Sequence, residues 1–188
     1  MTTYTLIYPP AHNETYVKNT TVYNVSYLGA FATDPAKSLT GSWEANSWLA
    51  ASGSVTSQRF HIDLGEAKIV RRIYYENGHH YGTLTNSGAE NFTLWGSNNA
   101  AAFAQVTYAT DTDWTQLTTA QSTFDQHAAA DAVDPKYILV TNTVAYRYYA
   151  FKFADNYGNA TYLNVRRLSL MTEDGYGGVS FISRPIFF

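Results

Sequence analysis

Residues 58–75 read QRFHIDLGEAKIVRRIYY, where Phe60, Ile62 and Leu64 alternate with His61 and Asp63 and where Ile69, Val70, Ile73 and Tyr75 form a second apolar set. Alternation of period two on both sides of a glycine predicts two strands sharing one buried face, joined by a tight turn at Gly65. The pattern recurs along the chain. Residues 20–28 (TTVYNVSYL), 136–141 (KYILVT), 145–153 (AYRYYAFKF) and 162–171 (YLNVRRLSLM) each predict a strand, and residues 90–99 place Phe92, Leu94 and Gly96 on one side of another. Residues 1–8 alternate loosely, as a first strand or an arm, and stop at Pro9-Pro10, where the ladder loses its N–H donors. Residues 100–107 allow one helical turn before a short strand, and residues 121–132 are open between strand and loop.

Between these stretches lie segments rich in Gly, Asn, Ser and Pro. The longest, residues 29–57, carries Asp34-Pro35, Gly41-Ser42, Asn46-Ser47 and Ser52-Gly53 as turn signals, together with Trp43 and Trp48. A connection of that length is internally packed or functional. Residues 76–88 (ENGHHYGTLTNSG) and 155–160 (DNYGNA) read as a loop and a turn.

Composition narrows the class. A chain of 188 residues suits one domain, or one domain with arms, and folding at that size buries roughly 70% of the unfolded surface. Charged residues are 14% of the chain, with 16 Tyr and 10 Phe, against about 25% charged in an average globular protein. Such a chain fits an all-β protein whose outer faces are polar without being ionic. The net charge is −3, and adjacent cations occur only at Arg71-Arg72 and Arg166-Arg167, so nucleic acid is not an expected partner. Cysteine is absent, which rules out disulfides and thiolate metal sites. Residues 1–16 lack the basic and apolar regions of a signal peptide, and no apolar run reaches the roughly 18 residues of a membrane span. The expectation is a protein without a membrane partner, cytoplasmic or released without a signal peptide.

Several motifs resemble discoidin domains, the coagulation factor 5/8 type C group of the galactose-binding-domain-like sandwiches. Phe60-x-Ile62-Asp63-Leu64-Gly65 with Ile69-Val70-x-x-Ile73 after it is similar to the central strands of that family. Phe92-x-Leu94-x-Gly96-Ser97-Asn98 is similar to its next strand and turn, and Trp114-x-x-Leu117 to the segment beyond that turn. Arg147-Tyr148 resembles the pair that opens a core strand, Leu168-Ser169-Leu170 the closing strand, and Trp48 the tryptophan before the Asp-Leu-Gly strand. The resemblance covers residues 27–171 and implies an antiparallel β-sandwich of jelly-roll type with extended N- and C-terminal arms: residues 1–26 as the N-terminal arm and first strands, and residues 172–188 as an apolar C-terminal arm. It departs from the family at Arg167, where a Glu usually precedes the Leu-x-Leu, and in the loop where relatives carry an Asp-Gly pair and often a structural calcium. Here Asp34 is the sole carboxylate before Glu44, so Asp34 is a weak calcium candidate and no other cofactor is expected. Secreted relatives often join their ends by a disulfide, and its absence argues against an animal cell-surface setting.

In such a sandwich ligands go to loops at one end of the strands. Sugars are held by aromatic faces and fixed polar groups, which makes Trp43, Asn77, His79, His80, Tyr81, Asn156 and Tyr157 the candidate ligand-binding residues. The bland reading sets Trp48 in the core and leaves Trp43 open between core and site. His79 and His80, being adjacent, point opposite ways in an extended chain and make a poor metal pair. Asp63 reads as a hydrogen-bonded strand carboxylate, and no nucleophile, phosphate-loop or zinc motif is present. The expected function is a non-catalytic recognition module for glycans. Its composition and apolar termini suggest a virion surface component, a capsid decoration, fibre or tail protein that binds other virion or self subunits through its arms and forms a homo-oligomer. The alternatives are a decoration protein that binds only protein neighbours, and an accessory module of a glycan-degrading system.

Overall fold

The computed structural model describes residues 2–175. Among the described residues ten strands occur: β1 (Tyr4–Ile7), β2 (Val17–Asn19), β3 (Trp48–Leu49), β4 (Gln58–Lys68), β5 (Arg72–Asn77), β6 (Phe92–Ser97), β7 (Thr115–Thr119), β8 (Lys136–Thr141), β9 (Tyr146–Phe153) and β10 (Asn164–Glu173). Two single-turn helices, α1 (Gly29–Thr33) and α2 (Ala100–Ala104), sit among them. No helix among the described residues is long and apolar enough to cross a membrane.

All strand pairs are antiparallel, and the hydrogen-bonded order is β1-β10-β5-β8-β7-β6-β9-β4-β2, with β3 also on β10. β7 is the corner. Its Thr115–Leu117 half pairs with β6, while Thr118 and Thr119 pair with Thr141 and Val140 of β8. The path therefore curls into two facing layers, the antiparallel sandwich that the family resemblance implied.

One layer sends Phe60, Ile62, Leu64, Phe92, Leu94, Tyr149, Phe151 and Phe153 inward, and the other sends Ile73, Tyr75, Ile138, Val140, Val165, Leu168 and Leu170 to meet them. Trp48 is a core residue: fully buried, it lies 5.2 Å from the ring of Phe60, and its indole N–H donates to the Thr21 carbonyl at 3.0 Å. The outward side of β4 is also buried, because α2 and the turns after it lie across Arg59 and His61. His61 faces the Phe103 carbonyl oxygen at 2.9 Å, and burial lowers its pKa to about 4. Asp63 is the structural carboxylate expected of it, held by a fork from Arg147 at 2.8 and 2.9 Å and by the Gly65 N–H at 2.7 Å.

Two sequence expectations are corrected. β4 does not turn at Gly65. It runs on to Lys68 through an irregularity between Asp63 and Lys68, where Gly65 adopts φ 78°. A bulge of this kind needs a residue that tolerates positive φ, and Pro10 leaves no room there for a Cβ. The reversal comes at residues 69–71, where Val70 is buried and its N–H meets the Tyr149 hydroxyl at 3.2 Å. Residues 20–28 do not form a strand. Asn24 accepts the Ser26 N–H at 2.8 Å and starts a 3-10 turn over Val25–Tyr27, the local side-chain bond that competes with a ladder.

The first residues belong to the sheets, since β1 pairs with β10 and β2 with β4. Of the expected C-terminal arm, residues 172 and 173 end β10, and everything past residue 175 lies outside the described residues.

Candidate functional site

β4 and β6 begin, and β5 and β9 end, at the same edge of the sandwich. The loops gathered there carry a strip of aromatic side chains. The ring of Trp43 lies 4.7 Å from that of His80 and 5.2 Å from that of Tyr162. Tyr23 continues the strip, 6.2 Å from Tyr162 and 5.4 Å from Tyr27, and Tyr81 closes the other end 4.7 Å from His80. Tyr81 is 57% exposed and Tyr23 43%. Trp43 is buried, while His80, Tyr27 and Tyr162 are half-buried.

Local chemistry sets each ring. His80 and Thr83 exchange backbone hydrogen bonds of 2.8 and 2.9 Å across Tyr81 and Gly82, which have φ 50° and 71°. Two positive φ values make a two-residue hairpin turn, and this one throws the Tyr81 ring outward. Gly82 is obligatory, because a Cβ there would lie 2.4 Å from the backbone of Ala130 and Asp131. The Trp43 carbonyl accepts the N–H groups of Asn46 and Ser47 in a helical turn, and Ala45 N–H reaches Ser26 O at 2.8 Å, tying that turn to the one that bears Tyr27. Asn159 accepts the N–H of Tyr162 at 2.9 Å. Burial, and then the neighbouring Glu44 carboxylate, raises the Tyr27 phenol.

Beneath the strip lies a buried cation. Arg166 is fully buried and donates to the carbonyls of Ser38 (3.2 Å), Thr40 (3.1 Å), Gly41 and His79 (3.1 Å). Burial lowers its pKa to about 10. A bulge in β10 between Val165 and Arg167 puts both arginines on the loop side while Val165 and Leu168 stay in the core, and Arg167 adds a bond to Lys37 O at 2.7 Å. His79 accepts the Gly82 N–H at 3.0 Å, and its other nitrogen meets the Leu39 carbonyl at 2.9 Å. With its pKa lowered to about 4 by burial, His79 is a neutral ring protonated on Nε2. It stacks at 4.0 Å on His127.

Of the residues singled out in the sequence, Trp43, His80 and Tyr81 come together in the strip. The other four are placed differently. Asn77 is buried and donates to Ala89 O (2.8 Å) and Asp125 O (3.0 Å), and His79 lies under the hairpin. Asn156 closes its turn onto Asn159 O (2.9 Å) and Tyr162 O (2.6 Å), and the Tyr157 hydroxyl donates to Phe124 O. Asp34 accepts the Ala36 N–H at 2.9 Å after α1, and among the described residues no group of three or more His, Cys, Asp or Glu is placed to hold a metal. Sequence reading missed Tyr23, Tyr27 and Tyr162. Asn24 and Asn159, both good turn formers, were the signals that these tyrosines sit on turns and not on strands.

The architecture is the discoidin-like, galactose-binding-domain-like sandwich. It is shared with chitosan-binding module 1 of a chitosanase/glucanase from Paenibacillus sp. IK-5 (18% identity, 83% of this chain and 92% of that one, TM-score 0.57). The family 32 carbohydrate-binding module of NanJ from C. perfringens, solved in complex with galactose, is similar (14% identity, 90% and 100%, TM-score 0.58), as is that of EndoD from Streptococcus pneumoniae (12%, 88% and 98%, TM-score 0.57). Residues 37–172 match the family DUF5000, described as a domain of unknown function, and the chain belongs to that family. No curated protein sequence matches the chain.

Proposed function

We propose that this chain is a non-catalytic carbohydrate-recognition module whose site is the aromatic strip running from Tyr23 through Trp43 to Tyr81. The observation that carries the reading is the strip itself: aromatic rings brought together from four separate loops and left partly open to solvent. Flat aromatic faces cover the C–H patches of a sugar ring, and the polar tips of Tyr and His answer its hydroxyls. The shared fold supports the reading, since neighbours of that fold are named as binding chitosan and galactose. The virion setting rests on composition and termini alone, and the recognition reading does not depend on it.

A glycan array probed with the full chain tests this, beside the variants Tyr81→Ala and His80→Ala with their melting curves recorded. The expected result is binding to a defined set of glycans that weakens in folded variants. A blank array, even with the protein clustered on beads to restore avidity, overturns the reading in favour of a structural protein that binds only other proteins.

A further inference from the structure

The strip is bordered by two carboxylates. Glu44 comes directly after Trp43, is exposed, and sits beside Tyr27. Asp131 borders the other end, where its Oδ1 accepts the Gly41 N–H at 2.6 Å, Gly41 O accepts the Tyr81 N–H at 3.1 Å, and the backbone of Asp131 abuts Gly82. Among the described residues, neither carboxylate is in an ion pair.

The cations are committed elsewhere. Among the described residues, Arg59, Lys68, Arg71, Lys136, Arg147 and Lys152 are each in an ion pair with an acid other than these two. Lys18, Lys37 and Arg72 lie over the rings of Phe103, Phe31 and Tyr137. Arg166 and Arg167 are buried against carbonyls. The face that a ligand meets therefore carries aromatic rings and the carboxylates of Glu44 and Asp131, while the nearest guanidinium, that of Arg166 beside Asp131, is buried beneath it and turned toward backbone carbonyls.

We propose that the strip takes an amino sugar in its ammonium form, with Glu44 and Asp131 recognising the charge; this rests on the reading of the strip as a sugar site. An ammonium gains from carboxylates at the rim and from the exposed faces of Tyr23 and Tyr81. A uronate is opposed by the two rim carboxylates and reaches no exposed cation there, and a neutral or N-acetylated sugar keeps the stacking alone.

The test is titration calorimetry on the full chain with a β-1,4-linked glucosamine trimer, its fully N-acetylated counterpart and a galacturonate trimer, at low and at high salt. At low salt the glucosamine trimer binds about threefold to tenfold tighter than the N-acetylated one, the range that two exposed ion pairs supply, and the uronate binds weakest. High salt shrinks the advantage, and so does Glu44→Gln with Asp131→Asn, while the melting curve of that double variant stays close to the parent. Equal binding of the amine and its acetamide at low salt, an advantage that survives the double variant, or preferred binding of the uronate overturns the proposal. Neutral glycans bound on the array without glucosamine binding would overturn the charge preference and leave the sugar site standing. Silence with every glycan overturns both.

Discussion

The guanidinium of Arg166 holds the carbonyl oxygen of His79 at 3.1 Å while its other nitrogen holds those of Ser38 and Thr40, so a single side chain joins the loop before Trp43 to the hairpin that bears His80 and Tyr81. Both loops bend around it. Arg166→Met would leave the buried His79 carbonyl without a donor and unfasten the loop that carries Ser38 and Thr40, at a cost of about 3 kcal/mol. Arg166→Lys keeps the charge but loses the planar fork and recovers only part of that. Urea unfolding should rank parent, Lys and Met in that order. Glycan affinity measured well below the melting midpoint should fall in the same order, because the rings of the strip lose their spacing.

Converging carbonyl oxygens are also what a hard cation seeks. In this chain Arg166 and Arg167 already occupy those of residues 37, 38, 40 and 41. Adding calcium, or a chelator strong enough to remove it, should therefore leave both the melting midpoint and glycan affinity unchanged. A chelator that lowered either would mean that a metal shares the loop with the arginines.

Tyr81 separates binding from folding. At 57% exposure on a hairpin tip, its ring contributes little to the core, and Tyr81→Ala should shift stability by no more than about 0.5 kcal/mol. Affinity should fall by about threefold to tenfold, the worth of one stacked ring. Trp43→Ala should lower both, because the ring is buried as well as in contact with His80 and Tyr162.

Asp63 makes the opposite case. It is tied to Arg147 near the far edge of the sandwich from the strip. Asp63→Asn should lower the melting midpoint and leave glycan affinity as it was. Lost binding in a folded Asp63→Asn protein would give that carboxylate a part in recognition.

How much of this was legible depends on the range of the interactions. Phe60, Ile62 and Leu64, or Ile138 and Val140, announce their strands by period alone, because a half-buried sheet demands it. Position 65 shows the limit: a glycine between two apolar runs reads as a turn, yet here it makes a bulge, a choice settled by Pro10 and Arg147 far away in sequence. Residues 20–28 show the same in reverse, since the alternation was genuine but Asn24 outweighed it locally. In the site, Trp43, His80 and Tyr81 stood out as aromatics in predicted loops. Tyr23 and Tyr162 meet only through the folding together of residues 139 positions apart, and no local pattern reports that. The burial of both arginines of β10 was not legible either, because the bulge that turns them under the loops leaves no mark in the sequence.

Acid should loosen the fold in a definite window. His61 and His79 are fully buried, and burial lowers each from 6.5 to about 4. Above pH 6.5 both are neutral whether the chain is folded or not, so their contribution is constant. Between 6.5 and about 4 the unfolded chain takes up a proton on each histidine and the folded chain does not. The unfolded state then binds more protons, and stability falls as pH falls. Each histidine should cost on the order of 1 kcal/mol per pH unit across that window. Urea midpoints measured from about pH 7.5 down to about pH 4.5, a span that brackets histidine titration in the unfolded chain, should stay level at first and then decline. His79→Gln keeps a donor for the Leu39 carbonyl and removes one titrating ring, so its decline should be shallower than the parent's. A parent profile flat through the window would mean that the two rings take up protons without leaving the folded state, and that the carbonyls of Phe103 and Leu39 stabilise the charged rings enough to offset their burial.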